Sequence, residues 1–262
     1  MALTVQPPRT LAPPVPWLAA GQAFPPLEAA WGNEDPAPGL LAAGETLDVS
    51  TLVQAYSLGI FPWFSLGQPV LWWSPDQRMV LQTRNFRLHR SLRQSLLRFQ
   101  KDPDCEIRFD SAFEQVIQAC SSKPREGQSG TWIVPDMVQA YIALHRAGHA
   151  HSVETWVKGE LAGGLYCVNL GQMAFGESMF AHRTDASKIA LAALLAFCRA
   201  QKITMIDCQQ NTRHLASLGA AEISRAEFAL HLTRIVGKTA PRWEFEPVYW
   251  NQILTAGTPK PP

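Results

Sequence analysis

No run of apolar residues in this chain approaches the roughly 20 that a helix needs to span a bilayer. The longest candidate, Ile189 to Cys198, is rich in Ala and Leu but is bounded by Lys188 and Arg199, and reads as a buried helix. The start, MALTVQPPRTLAPPVPWLAAG, lacks a basic segment leading into an apolar one, and its prolines would break such a stretch. No signal peptide is therefore expected. Cysteines are also few. Cys105, Cys120, Cys167, Cys198 and Cys208 are widely spaced and form no CxxC pair. An odd, scattered set argues against a disulfide framework and supplies no zinc site. These absences predict a soluble, cytoplasmic protein whose thiols are mostly buried. Cys105, between Asp104 and Glu106, is the exception.

Acidic residues are missing from one particular stretch. Between Gln77 and Lys101 there is none, while Arg78, Arg84, Arg87, Arg90, Arg93, Arg98 and Lys101 crowd together with His89. Over residues 1–60 the balance reverses, with Arg9 outnumbered by Glu28, Glu34, Asp35, Glu45 and Asp48. The net charge of +1 hides this asymmetry. A local basic segment suits a few phosphates rather than a long duplex. The alternative is a solvated helix face with no polyanionic partner.

The chain has 262 residues, 47% of them apolar, enough for a large domain with a smaller one attached. Nine of its twenty prolines fall in the first 38 residues, which should be mostly irregular. Asp48 or Ser50 then caps a helix with Leu52, Val53 and Tyr56 on one face, closed by Gly59. GIFPWFSLGQPVLWWSP follows, and its prolines exclude a helix. Helices are predicted over Arg90 to Phe99, around Phe113 to Cys120, and from Pro135 through Leu144. The period then drops to two. His151–Val157 and Glu160–Val168 read as strands joined by a Lys158-Gly159 hairpin, with a third strand from Gln172 to Phe175. Thr184 or Asp185 caps a helix through Arg199, Ile203–Cys208 forms a short strand, and helices follow near Asn211–Ser217 and Arg225–Val236. This order gives an α+β protein. Its divisions are a proline-rich extension (1–22), a small N-terminal domain (23–74), an acetyltransferase-like (GNAT-like) domain (75–236) and an aromatic tail (237–262) that packs back on it or meets a partner.

Chemistry-bearing residues cluster late in the chain. On a strand, Asp207 and Gln209 would face one way and Ile206 and Cys208 the other. A carboxylate beside an amide can orient an attacking amine and accept its proton; the alternative is an Asp capping the next helix. Glu177, in Gly176-Glu177-Ser178-Met179-Phe180, should follow a strand and could hold a cation or a ribose hydroxyl. It could equally pair with Arg183 or Lys188. His149, His151 and Glu154 suggest a metal, but strand parity separates the Glu from the two His, so no metal site is expected. Trp63 and Trp132 lie in Pro- and Gly-rich loops, where they would stack on a base or fill a domain junction.

Taken together, ten ordered strings resemble the leucyl/phenylalanyl-tRNA–protein transferase family from about Phe24 to Leu232. They are GLLA (39–42), GIFPWF (59–64), LWWSPD (71–76), GTWI (130–133), AHSVETW (150–156), GGLY (163–166), FGESMF (175–180), DASK (185–188), IDCQ (206–209) and HLASLGA (214–220). Gly44-Glu45-Thr46-Leu47 stands where the family usually has Gly-Gly-Asp-Leu, and Cys167 replaces a common Gly. The resemblance implies an enzyme that moves Leu, Phe and less readily Met from aminoacyl-tRNA to proteins beginning with Arg or Lys, marking them for N-end-rule degradation. It implies no metal, nucleotide or acyl-CoA, and neither DNA nor a membrane as partner. Asp207 with Gln209 would position the acceptor amine and ease loss of its proton, and Glu177 would help hold the acceptor. Leu165, Met179, Leu191, Leu194 and Ile206, with Cys198 at the base, would line the donor pocket. Trp63 and Trp132 would pack on the terminal adenosine, and Arg90 and Arg93 would meet acceptor-stem phosphates. Two other readings compete. An acyl-CoA-dependent acyltransferase would need a glycine-bearing pyrophosphate loop where this chain has HRTDASK; a catalytically silent tRNA-binding module would have no use for Glu177, Asp207 and Gln209 together.

Overall fold

Local signals set most of the elements that position the site. The computed structural model describes residues 14–122 and 133–255. Four strands, β1 (Trp17–Leu18), β2 (Leu40–Gly44), β3 (Phe61–Pro62) and β4 (Val70–Trp73), form a first sheet in the order β1-β2-β4-β3. A second sheet holds β5 (Gln77–Gln82), β6 (Cys105–Phe109), β7 (Ala150–Val157), β8 (Glu160–Leu170), β9 (Met173–Ala181), β10 (Met205–Gln209) and β11 (Ala221–Ser224). Its order is β11-β5-β10-β9-β8-β7-β6. The helices are α1 (Val49–Ser57), α2 (Arg90–Phe99), α3 (Phe113–Ser122), α4 (Pro135–Arg146) and α5 (Ala186–Ala200), then α6 (Arg213–Ser217), α7 (Arg225–Ile235) and α8 (Asn251–Leu254).

Asp48, not Ser50, caps α1: its carboxylate accepts from Thr51 N at 2.9 Å. Pro135 opens α4 at the position where a missing N–H costs nothing. Ser224 and Glu227 cap α7 reciprocally. Lys158 and Gly159 both take positive φ, as a tight hairpin between β7 and β8 demands. Asp185 sits at the start of α5 but does not cap it. Its carboxylate accepts from Ser95 Oγ at 2.9 Å and Lys188 Nζ at 3.0 Å.

One expectation changes here. The third strand of the meander does not stop at Phe175; β9 runs on to Ala181, so Glu177 lies within a strand rather than after one. The GIFPWF–LWWSP stretch supplies β3 and β4, whose prolines stand outside the paired ladder or at its end.

One apolar cluster joins the first sheet to the second. It includes Phe61 and Trp72 together with Phe113, Tyr141, Phe175 and Phe228. The other face of the second sheet is covered by α5, with α2 and the C-terminal segment packed against it. That segment folds back onto the protein. Trp243 stacks flat on His151 at 4.1 Å, and Trp250 and Ile253 are buried.

Candidate active site

Strands β9 and β10 run parallel but pair only at Ala174↔Ile206 and Phe175↔Asp207. Just beyond that point each carries an extra residue against its other neighbour. Glu177 is inserted between Gly176, opposite Cys167, and Ser178, opposite Tyr166. Cys208 is inserted between Asp207, opposite Val80, and Gln209, opposite Met79. Paired bulges bend both strands and re-aim their side chains. Gly176 packs closely just past the last pair, where an added Cβ would lie 3.2 Å from Asp207 O. Ile206 enters the apolar cluster while Asp207 and Gln209 both reach the polar site, as alternation along the strand predicts, and the bulge at Cys208 leaves Gln209 at φ 60°.

Asp207 has no exposed surface, and Arg78, from β5, is 1% exposed. Arg78 donates from Nε to Oδ1 at 2.8 Å and from Nη2 to Oδ2 at 2.6 Å. Oδ1 also accepts from Gln209 N at 2.9 Å. The guanidinium lies between two rings, 4.6 Å from the centroid of Phe61 and 4.8 Å from that of Phe228. Two expectations are corrected by this pairing. Arg78 does not belong to the exposed basic segment, because it is committed to a buried bidentate pair. Asp207 does not cap the next helix either; Thr212 Oγ1 does, accepting from Leu215 N at 3.2 Å.

Glu177 is partly exposed and held by neutral donors. Tyr56 Oη donates to its Oε1 at 2.6 Å and Gln209 Nε2 to the same oxygen at 2.9 Å. Tyr141 Oη lies 3.4 Å from Oε2 and is hydrogen-bonded to Tyr56 Oη. Burial raises the Glu177 carboxyl to about 8, against the hydrogen bonds from Tyr56 and Gln209; the charge of Asp207 raises it further and that of Arg78 lowers it. Neither cation weighed as its partner takes that place. Arg183 pairs with Glu160 at 2.8 Å and Lys188 with Asp185 at 3.0 Å.

Leu165, Leu191, Leu194, Cys198 and Ile206 belong to one buried apolar cluster, with Met179 partly exposed against it. Trp63 is partly exposed, edge-on to Trp73 with centroids 5.4 Å apart, and Trp73 Nε1 donates to Trp63 O at 2.7 Å. Trp132 lies outside the described residues. Arg90 is exposed at the start of α2. Arg93 is exposed too, but its Nη1 donates to Leu254 O at 2.8 Å, so one arm of its fork secures the C-terminal segment. Away from this site, His151 Nδ1 lies 2.7 Å from Asp110 Oδ2. Glu154 accepts from Ser111 Oγ, Ala112 N, Ser152 Oγ and Trp156 Nε1.

Sequence reasoning missed Arg78, Tyr56 and Tyr141 as site residues. Arg78 carried a signal, a cation set directly before the apolar Met79-Val80-Leu81 run of β5. The two tyrosines looked like ordinary apolar positions on helix faces.

The leucyl/phenylalanyl-tRNA protein transferase family model matches residues 80–233, and that family's N-terminal domain model matches 45–76. A leucyl/phenylalanyl-tRNA–protein transferase of Polaromonas sp. strain JS666 is 76% identical over 95% of this chain and 98% of its own length. One of Albidiferax ferrireducens is 63% identical over 93% of this chain and 96% of its own. Among solved structures, L-PGS from Bacillus licheniformis covers 75% of this chain and 72% of its own at 11% identity and a TM-score of 0.39, too distant to carry an argument. This chain belongs to the leucyl/phenylalanyl-tRNA–protein transferase family, and it is an aminoacyl-tRNA–protein transferase.

Proposed function

We propose that the enzyme moves Leu, Phe and less readily Met from aminoacyl-tRNA to the α-amine of cytoplasmic proteins beginning with Arg or Lys, directing them to N-end-rule degradation. The observation that carries the chemistry is the shared bond network of Glu177 and Gln209 at the opening between β9 and β10. In this reading residues 75–236 form a GNAT-like catalytic domain, with the acceptor amine entering at that opening. Gln209 spends its Nε2 on Glu177, which leaves its Oε1 to accept from the acceptor amine. Asp207, with both oxygens engaged and no exposure, holds this arrangement rather than taking the proton.

In the proposed reaction the amine nitrogen attacks the ester carbonyl of the aminoacyl group. A C–N bond forms, the C–O bond to the ribose of the terminal adenosine breaks, and the new peptide bond remains on the acceptor. Ionised Glu177 takes the proton that the amine loses and returns it to the departing ribose oxygen. A carboxyl near 8 is matched to an α-amine of about 7.7–8.0, so the proton passes between groups of similar affinity. Positioning supplies much of the remaining acceleration, because the ester is already activated. Once ionised, Glu177 also offers a negative charge to a cationic acceptor residue.

The apolar cluster of Leu165, Met179, Leu191, Leu194, Cys198 and Ile206 receives the donor side chain in this account. Met179→Ala, which widens its exposed edge, should shift preference among Leu, Phe and Met by about 1–3 kcal/mol per methylene accommodated. Competition between Leu-tRNA and Phe-tRNA measures it, and an unchanged ratio would remove Met179 from the wall. Trp63, with Trp132, packs on the adenosine. Arg90 meets a phosphate, so Arg90→Ala should reduce the slope of log binding constant against log salt by roughly one unit. An unchanged slope would place the phosphates elsewhere. The acceptor class is tested by incubating the enzyme and labelled Leu-tRNA with one model protein bearing either Arg or Asp at its N-terminus. Label should appear on the Arg form alone, and equal labelling of both would reject the assigned class.

A further inference from the structure

Arg78 gives both bonds of its fork to Asp207, and the site's geometry depends on where its guanidinium lies. Gln209 holds φ 60°, a left-handed conformation that L side chains rarely adopt. Such a residue stays put only where its surroundings fix it. The group fixing it is Asp207 Oδ1, which accepts Gln209 N at 2.9 Å. That oxygen is itself fixed by Arg78 Nε at 2.8 Å, and the second arm of the fork, 2.6 Å to Oδ2, prevents the carboxylate from rotating about its own axis.

The guanidinium in turn is gripped from both sides. Phe61 comes from β3 of the first sheet and Phe228 from α7, while Arg78 itself is on β5. The Phe228 ring is backed by Gly59, where an added Cβ would lie 3.0 Å from its Cε1 and where φ is +80°. The tight turn ending α1 thus sets the ring, the ring sets the guanidinium, and the guanidinium sets the carboxylate. Three separate parts of the chain converge on one buried side chain.

We propose that Arg78 is a positioning residue for the transfer reaction: through Asp207 it holds the Cys208 bulge, and with it the direction in which Gln209 faces Glu177 and the acceptor amine. The docking of the first sheet, through Phe61, is thereby coupled to the alignment of the reacting amine. Removing the fork while keeping the charge should let Asp207 swing and Gln209 relax toward ordinary backbone angles. The amine would then sit off line, and a misplacement of about an ångström can cost on the order of 10²-fold in rate.

This assignment rests on the roles proposed above for Gln209 and Glu177. The test is a double-mutant cycle in single-turnover transfer, with Arg78→Lys, Gln209→Ala and the two together. Lysine keeps a buried cation for Asp207 but cannot form the two-armed bond. Arg78→Lys is expected to lower kcat by about 10²-fold with an unchanged KM for aminoacyl-tRNA. In the Gln209→Ala background it should cost almost nothing more. Additive losses would overturn the assignment while leaving Gln209 and Glu177 in place. An inert Gln209→Ala would remove both this assignment and the role of Gln209 beneath it. A merely structural Arg78 would give a lower Tm and less folded enzyme, with wild-type kcat per folded molecule, and that too would overturn it. If Arg78→Lys does not fold, the pair Arg78→Met with Asp207→Asn, which buries no net charge, goes through the same cycle. The Asn Oδ1 can still accept Gln209 N, so a retained wild-type kcat would show that the guanidinium is dispensable. A loss that disappears in the Gln209→Ala background would support the assignment.

Discussion

Glu177→Gln is expected to lower turnover by about 10²–10⁴-fold while leaving the affinity for aminoacyl-tRNA close to wild type. The amide keeps an oxygen to accept from Tyr56 and Gln209, so the hydrogen-bonded frame survives and only the exchangeable proton is lost. Stability changes in a way that identifies the group. The Glu177 carboxyl stands near 8 in the folded protein against 4.5 for the ordinary side chain. A raised value means that the folded state binds the proton more tightly than the unfolded state. Its contribution to stability is therefore complete below about 4.5 and is lost as pH rises through about 8. Glu177→Gln cannot ionise, so its stability should decline less than that of wild type over that interval. Urea midpoints for the two proteins at several pH values measure the difference. Parallel curves would mean that Glu177 titrates as an ordinary carboxylate, and undiminished turnover would remove it from the chemistry.

Asp207→Ala should produce the largest loss of stability, about 3–5 kcal/mol, because it leaves the Arg78 guanidinium buried with no anion. Its two bonds to Asp207 would be broken, and Phe61 and Phe228 offer only ring faces in their place. The transfer rate per folded molecule should fall as well, since Gln209 N would lose its acceptor. The shift in the midpoint of urea denaturation at constant m-value measures the first effect. A midpoint equal to wild type would mean that Arg78 reaches water or another acceptor once Asp207 is gone.

Much of the scaffold was legible because its signals are local. The Asp48 cap, Pro135 at the head of α4, the Lys158-Gly159 turn and the apolar face of α2 all follow from neighbouring residues. The first sheet was less so. β2, Leu40–Gly44, is buried throughout and shows no alternation, and β4 lies in a stretch whose prolines excluded a helix without marking a strand. β5 was hidden by Arg78, which looked like one more member of a basic run. Asp207, Gln209 and Glu177 were singled out from sequence, as was the common facing of Asp207 and Gln209, but the bond of Gln209 to Glu177 and the pairing of Asp207 with Arg78 were not. Alternation placed Asp207 and Gln209 together and opposite Ile206, but it gives no sign of an inserted residue, and this site is made where two adjacent strands bulge together. Tyr56 and Tyr141 are 85 positions apart and are brought to Glu177 only by the packing of α1 against α4. No local pattern announces such a meeting.

The central claim is that the proton lost by the acceptor amine goes to Glu177. It is tested most directly by the pH dependence of single-turnover transfer, at saturating aminoacyl-tRNA, to two Arg-initiated peptides whose α-amines differ in pKa. Burial raises the Tyr56 and Tyr141 phenols that bond to Glu177 well above their ordinary value, so neither of them supplies an inflection near neutrality. With both peptides saturating, the rate should rise through the same inflection near about 8, and that inflection should vanish in Glu177→Gln. An inflection that follows the pKa of the peptide amine and persists in Glu177→Gln would contradict the account, and would mean that the amine loses its proton to solvent before it attacks.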